Sequence, residues 1–305
     1  MDKIAIIIVH YNTDEDTTEC LKSLSKATID GWDQKIYVVD NGSKDRFELP
    51  YDLDLKGKDV EIIRSEANLG FSGGNNLGIT YALEHYQPDY VLLLNSDTLV
   101  QPSFLSKLYQ TAQDNFDIGL LNPMVYFAKQ YEFHKDSYQP EDLGKIIWYA
   151  GGSIDWDNVV GFHRGVDEID RGHFKNQLES EFATGCCVLI KREVLETIGL
   201  LDESLFLYWE DVDYSLRARA AGYQVSLVPH SVIWHKNAGS SDGAGSRLQL
   251  YYQTRNRLSI AFRYGSWKTK ITALRLAVFY LLRGDIASQA VIDALMGKMG
   301  KQPIF

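Results

Sequence analysis

Ile4-Ala5-Ile6-Ile7-Ile8-Val9-His10-Tyr11-Asn12 is the stretch on which the fold of this chain turns. An unbroken apolar run, almost all β-branched, suits a strand buried on both faces, and such strands belong to parallel sheets covered by helices. The run is too short for a membrane span or a signal-peptide core, and no basic segment precedes it. It ends abruptly in three polar residues. In an open α/β sheet, ligands bind beyond the carboxyl ends of the strands, so His10, Tyr11 and Asn12 are candidate site residues.

The pattern repeats outward from there. Thr13 is placed to cap a helix that carries Asp14, Glu15 and Asp16 in its first turn, where the helix dipole favours acids. Lys35 to Val39 is predicted as a second strand ending at Asp40-Asn41, Val60 to Arg64 as a third, and Tyr90 to Leu94 as a fourth ending at Asn95-Ser96-Asp97. A helix is predicted over Asn75 to Tyr86. Strands alternating with helices imply a doubly wound α/β sheet, with three strands delivering polar groups to one edge. Residues 128 to 180 read as a loop-rich excursion or a small antiparallel piece. Beyond them the sequence predicts a strand over Phe182 to Ile190 and helices over Lys191 to Ile198 and Asp211 to Ala221. An extended segment follows over Tyr223 to Trp234, then a small-residue loop from Asn237 to Gly245 and a helical tail from about Ser246.

At 305 residues, 45% hydrophobic and 24% charged, the chain can bury a full core as a globular protein. Cys20, Cys186 and Cys187 make neither a disulfide framework nor a zinc spacing, and a cytosolic, reducing compartment is expected. The net charge of −10 argues against nucleic acid as a partner. The charge is uneven: Arg247 to Arg283 holds eight Lys or Arg and no Asp or Glu, which leaves about −18 on the rest.

Several short patterns have chemical potential, each with a plainer alternative. Asn95-Ser-Asp97 after a buried strand suits a hard divalent ion held together with phosphates, and equally a turn leading into the next helix. In Trp209-Glu210-Asp211-Val-Asp213, acids follow an aromatic cluster. They suit a general base that deprotonates a hydroxyl, or simple stabilisation of a helix N-terminus. His235 after Ser231-Val-Ile-Trp234 suits a metal ligand or a satisfied structural histidine. The glycine-rich run Asn68-Leu-Gly70-Phe-Ser-Gly73-Gly74-Asn75-Asn76 fits neither phosphate-loop fingerprint. It suits close backbone approach to a ligand or a tight strand-to-helix turn.

Taken in order, Val9-His-Tyr-Asn12, Val38-Val-Asp-Asn-Gly-Ser43, Asn68-Leu-Gly-Phe71 with Gly74-Asn-Asn76, Leu94-Asn-Ser-Asp97, Thr184-Gly185, Trp209-Glu-Asp211 and Trp234-His235 resemble family 2 glycosyltransferases, in particular the bacterial rhamnosyltransferase and galactofuranosyltransferase branch. The resemblance covers roughly residues 4 to 245. It implies a GT-A fold, a Rossmann-like mixed sheet flanked by helices, and an inverting mechanism. A catalytic domain over 1–245 is implied, with a nucleotide-sugar half to about 100 and an acceptor half from about 101, followed by a basic helical region over 246–305. It also implies that His10, Tyr11, Asn12, Asp40, Asn41, Asn68, Gly70, Asn75, Asn95 and Ser96 bind the donor. Asp97 and His235 would hold Mn2+ or Mg2+, although Asn95 stands where the family's metal motif has its first acid. Asp211, with Glu210 beside it, matches the catalytic base, and Trp209, Thr184 and Gly185 would meet the acceptor.

Partners expected on this basis are a nucleotide sugar and a glycan or lipid-linked glycan acceptor of bacterial surface polysaccharide synthesis. The resemblance to rhamnosyltransferases, to which Tyr149-Ala-Gly-Gly152 adds, implies dTDP-L-rhamnose ahead of a UDP-sugar as donor. The cations and aromatics of 247–283 suit an anionic membrane surface, on the inner face of the cytoplasmic membrane, or packing on the catalytic domain or a second subunit, which leaves a homodimer open. The Gln-x-x-Arg-Trp motif of processive synthases is missing near Gln253, so a single addition is expected. Two rivals are a nucleotidylyltransferase, for which His10-Tyr11-Asn12 supplies no triphosphate loop, and a non-catalytic sugar-binding scaffold, to which Asn95 lends weight.

Overall fold

The computed structural model describes residues 1–28, 31–176, 178–237 and 245–303. Its centre is a nine-stranded mixed sheet. Strand β1 (Asp2–His10) is followed by helix α1 (Asp14–Leu24), β2 (Trp32–Asn41), β3 (Asp59–Ser65), α2 (Gly70–His85) and β4 (Tyr90–Leu94). These four strands run parallel in the order β3-β2-β1-β4. The apolar run in β1 works as its composition demands. Ile4, Ile6 and Ile8 join one core layer with Cys20, Leu21 and Leu24 of α1, while Ala5 and Ile7 join the opposite layer with Ile79 and Ala82 of α2. Ile4 to Ile8 are wholly buried, worth about 1.5–3 kcal/mol for each isoleucine relative to exposure.

The second half extends the sheet with opposed strands. In chain order come β5 (Thr98–Val100), α3 (Phe104–Asp114), β6 (Ile118–Phe127), β7 (Ile147–Tyr149), β8 (Gly152–Asp155), β9 (Val160–His163), β10 (Cys187–Lys191), α4 (Arg192–Ile198), α5 (Glu210–Ala220) and β11 (Gln224–His235). From β4 the sheet continues β10-β6-β11-β5, with β10 antiparallel to both β4 and β6. Strands β8 and β9 form a separate antiparallel hairpin, so the excursion over 128 to 180 is partly ordered.

Two elements differ from their sequence-based bounds for identifiable reasons. Helix α2 begins at Gly70 instead of Asn75, because the Phe71 N–H, free at a helix start, donates to the Phe206 carbonyl at 2.8 Å. Gly70 adopts φ +75°, and a Cβ there would collide with the Phe206 carbonyl. A Cβ on Gly74 would lie 3.0 Å from Asn41 Nδ2, so the glycines serve helix-to-strand packing. The strand expected from Phe182 starts only at Cys187. Upstream, Ala183 N–H bonds Ser215, the Thr184 carbonyl accepts from Asn122, and Gly185 N–H bonds Asp211, so these backbone groups are satisfied by side chains in place of a ladder. The small-residue loop expected over 237–245 falls mostly outside the described residues.

The tail forms α6 (Arg247–Tyr264), α7 (Trp267–Arg283) and α8 (Ile286–Leu295). It is docked on the sheet domain through α6. Asn256, wholly buried, donates from one amide nitrogen towards the carbonyls of Leu205, Leu207 and Tyr208 at 2.8–2.9 Å. Arg255, also wholly buried, donates to the carbonyls of Ser204, Leu205 and Gly300. Substituting Gly70 with alanine is expected to lower stability by about 1–3 kcal/mol, read as the shift in a urea unfolding curve, because both φ and space forbid a side chain there.

Candidate active site

The carboxyl ends of β1, β2 and β4 lie side by side, as the parallel register requires, with His10 opposite Asp40. The structure sorts the expected donor residues into a buried framework and a half-exposed rim. His10 is wholly buried. Its Nδ1 is 2.8 Å from the Thr17 hydroxyl, its Nε2 is 3.1 Å from Asp14, and its ring stacks near Phe47. Burial pushes its pKa down against the pull of Asp14. Asp40 is 1% exposed and accepts from the N–H groups of Ser43 and Phe47 and from Arg64 at 2.5 Å. Burial alone would raise its pKa, yet these donors hold it below the usual carboxylate range.

Asn41 bridges to the Gly70 carbonyl and the Leu69 N–H, and Asn68 accepts from the Gly70 N–H, so together they fix the turn into α2. Asn75 is 2% exposed and donates to the Phe71 carbonyl. The side chains of His10, Asp40, Asn41 and Asn75 are thus buried and bonded to neighbouring protein groups, which braces the strand ends and the start of α2. Tyr11, Asn68, Asn95 and Ser96 are half-buried and Asn12 is exposed, which makes these the groups a ligand can reach.

Asp97 and His235, 138 positions apart in sequence, are brought together. Strand β5 pairs antiparallel with the end of β11, setting His235 opposite Thr98, and the Lys236 N–H donates to the Asp97 carbonyl at 2.9 Å. The Asp97 Oδ1 and His235 Nε2 are 3.1 Å apart, both side chains nearly buried. Burial would raise the Asp97 pKa, but the imidazole beside it holds it below its ordinary value. The imidazole ring stands edge-on to Trp148 at 4.5 Å. Among the described residues no group of three or more His, Cys, Asp or Glu could hold a metal. One carboxylate and one imidazole nonetheless form a donor pair suited to Mn2+ or Mg2+ if a ligand's phosphates complete the shell.

Asp211 sits in the first turn of α5, its Oδ2 accepting from the Gly185 N–H at 3.1 Å and its Oδ1 from the Val212 N–H. Burial raises its pKa against these bonds. Glu210 is 6% exposed, its Oε2 has no hydrogen-bond partner, and burial, reinforced by the Asp211 charge, pushes its pKa well up. The two carboxyls differ in setting: Glu210 is enclosed, and Asp211 opens on a cavity of about 260 Å3 lined also by His163, Phe182, Trp209, Gln253, Arg257 and Tyr280. Thr184 and Gly185 are both buried in the turn beneath Asp211, outside the lining of that cavity.

Sequence reasoning missed three contributors. His163 lines the cavity, and burial pushes its pKa to about 4, so it is a neutral imidazole. Trp148 stands between His163 and His235, with centroids 4.4 and 4.5 Å away. Phe206, Tyr208 and Trp209 all have positive φ, a strained approach to Glu210-Asp211 that the Asn256 amide holds in place. No local pattern around Asn256 signals that role.

The site thus combines a sheet edge that carries an aspartate–histidine pair with a carboxylate that opens on a cavity. The family model described as "Glycosyl transferase family 2" matches residues 5–199, and the chain belongs to that family. It is 26% identical over 257 residues to the "Low-salt glycan biosynthesis hexosyltransferase Agl10" of Haloferax volcanii, covering 84% of this chain and 75% of that protein. It is 24% identical over 299 residues to an "N-acetylglucosaminyl-diphospho-decaprenol L-rhamnosyltransferase" of Mycobacterium tuberculosis, covering 94% and 91%. Among solved structures, GalNAc-T7 with UDP, GalNAc and Mn2+ superposes with a TM-score of 0.60 at 18% identity, over 90% of this chain and 54% of that one. The fold is GT-A, and the protein is a glycosyltransferase.

Replacing Asn256 with alanine removes the amide shared by the carbonyls of Leu205, Leu207 and Tyr208, of which Leu205 keeps its bond from Arg255. Stability is expected to fall by at least about 2 kcal/mol in urea unfolding, and turnover to fall with the loosened approach to Asp211.

Proposed function

We propose that the chain is an inverting hexosyltransferase that adds one sugar to a hydroxyl of a glycan or lipid-linked glycan, in bacterial surface polysaccharide synthesis. L-Rhamnose from dTDP-rhamnose is the favoured transfer, with a UDP-sugar as the alternative. The observation that carries this is the pairing of two separate groups: Asp97 with His235 at the strand edge, and Asp211 over the cavity. Similarity to a rhamnosyltransferase and a hexosyltransferase supports the class of sugar.

In this account the donor would lie along the rim of Tyr11, Asn12, Asn68, Asn95 and Ser96, and Asp97 and His235 would hold a divalent ion. Such an ion, when bound, neutralises the charge that grows on the leaving diphosphate. Asp211 takes the proton of the acceptor hydroxyl. That oxygen bonds to the anomeric carbon from the face opposite the diphosphate, and the bond to the diphosphate oxygen breaks with its electron pair. Attack from the opposite face inverts the anomeric configuration. Trp209 offers an aromatic wall for the acceptor sugar. Gly185 and Val212 N–H groups fix the direction in which the carboxylate points, which is the orientation a general base requires.

A carboxylate acts as base only when ionised, and burial raises the Asp211 pKa. Activity is therefore lost as pH falls through that raised value, so the acid limb of the kcat/KM profile stands above the ordinary carboxylate range. Asp211→Asn is expected to lower turnover by about two orders of magnitude or more, with donor affinity nearly unchanged. A panel of dTDP-rhamnose, UDP-galactose, UDP-glucose, UDP-N-acetylglucosamine and GDP-mannose, followed by nucleotide release, checks both; near-normal release by the variant would remove Asp211 from the mechanism.

A further inference from the structure

The basic, aromatic-rich tail divides into an inner and an outer part. Tyr251, Tyr252 and Arg255 of α6 are wholly or almost wholly buried, and Arg263 is paired with Asp202 at 2.5 Å. These cations and rings serve internal packing. Helix α7 is built the other way round. Its buried side chains are the small ones, Thr269, Ala273 and Ala277, which face the protein. Its large apolar side chains face outward: Trp267 is 69% exposed, and Ile271, Leu274, Val278 and Leu282 continue the same stripe at helical spacing, with Phe279 and Leu281 beside it. A water-facing helix carries the opposite pattern. A contiguous exposed apolar stripe of this kind marks an interaction surface.

The charges on this face identify the cover. Lys268, Lys270 and Arg275 are exposed alongside the stripe, and no acid occurs from 247 to 283. A second copy docked by the same face across a two-fold axis would set these cations against their own counterparts. An anionic lipid surface takes both features, with the apolar stripe in the acyl boundary and the cations among the headgroups. No helix among the described residues is long and apolar enough to cross a membrane, so α7 would lie in the plane of the surface.

We propose that the outer face of α7 is an in-plane docking surface for anionic lipid, and that it sets the mouth of the Asp211 cavity beside the bilayer. Tyr280 lines that cavity from the inner side of α7, where it packs with Ala273 and Ala277, one helix diameter of about 10 Å from the outward stripe. α6 contributes Gln253 and Arg257 to the same wall. A hydroxyl carried on a lipid headgroup would thus reach Asp211 from the membrane side. The second half of the proposal rests on Asp211 acting as the base; the lipid contact does not.

The test is co-sedimentation of the full chain with vesicles of mixed phosphatidylglycerol and phosphatidylcholine, and with phosphatidylcholine alone. Wild type is expected to bind the anionic vesicles. Leu274→Glu/Val278→Glu and Lys268→Glu/Lys270→Glu are each expected to weaken binding by at least about tenfold. Both pairs are exposed, so circular dichroism and nucleotide release from a soluble assay should match wild type. Equal binding to neutral vesicles, or no binding to either, overturns the proposal. So does a dimer in light scattering that Leu274→Glu/Val278→Glu abolishes. Vesicle binding with no nucleotide release from any donor would leave the docking surface standing and remove the catalytic reading alone.

Discussion

Two backbone groups next to one another in sequence tie the site together. The Cys186 carbonyl accepts from the Asn95 N–H at 2.9 Å, and the Gly185 N–H donates to the Asp211 carboxylate at 3.1 Å. The first continues the antiparallel pairing of β10 with β4, which begins at Cys187 opposite Leu94, and so fixes the turn that carries Asp97. The second fixes the carboxylate proposed as the base. A shift of the Thr184–Cys186 turn would move the aspartate–histidine pair and Asp211 relative to one another. The turn is itself held from below by Asn122, wholly buried, whose amide reaches the carbonyls of Thr184 and Cys187 and whose oxygen accepts from Tyr149. Buried polar networks of this kind specify one arrangement because any other leaves a donor or acceptor unsatisfied.

The parallel half was legible because its signals are local. An apolar run flanked by polar residues announces a strand and its carboxyl end, and β1, β2 and β4 fall where that pattern places them. The grouping of Asp97 with His235 was legible only through resemblance, since the pairing of β5 with β11 that unites them joins segments with no shared local pattern. Burial was the least legible property. His10, Asp40, Asn41 and Asn75 are polar residues in site motifs, and each is enclosed and braces a turn or a helix start. One sequence cannot tell a polar group that meets a ligand from one that braces the loop meeting it. Partner groups decide that, and those partners, such as Arg64 for Asp40, come from neighbouring strands.

The C-terminal helices change the picture most. By composition they read as a basic surface region, and half of that character turns inward. Arg255 and Asn256 hold the strained segment ahead of Asp211, while Gln253, Arg257 and Tyr280 complete the cavity wall. The sheet domain and the tail thus meet at the cavity: the first supplies the sheet edge and Asp211, and the second braces the segment ahead of Asp211 and supplies one side of the space it faces.

The central claim is that the strand edge is a donor site organised by Asp97 and His235. Calorimetric binding of dTDP and UDP to wild type, with Mn2+ and with EDTA, and to His235→Ala and Asp97→Asn, tests it most directly. The account predicts nucleotide binding that needs Mn2+ in wild type and is weakened about tenfold or more in both variants. Binding of equal strength with EDTA, or variants that bind as wild type does, would contradict it.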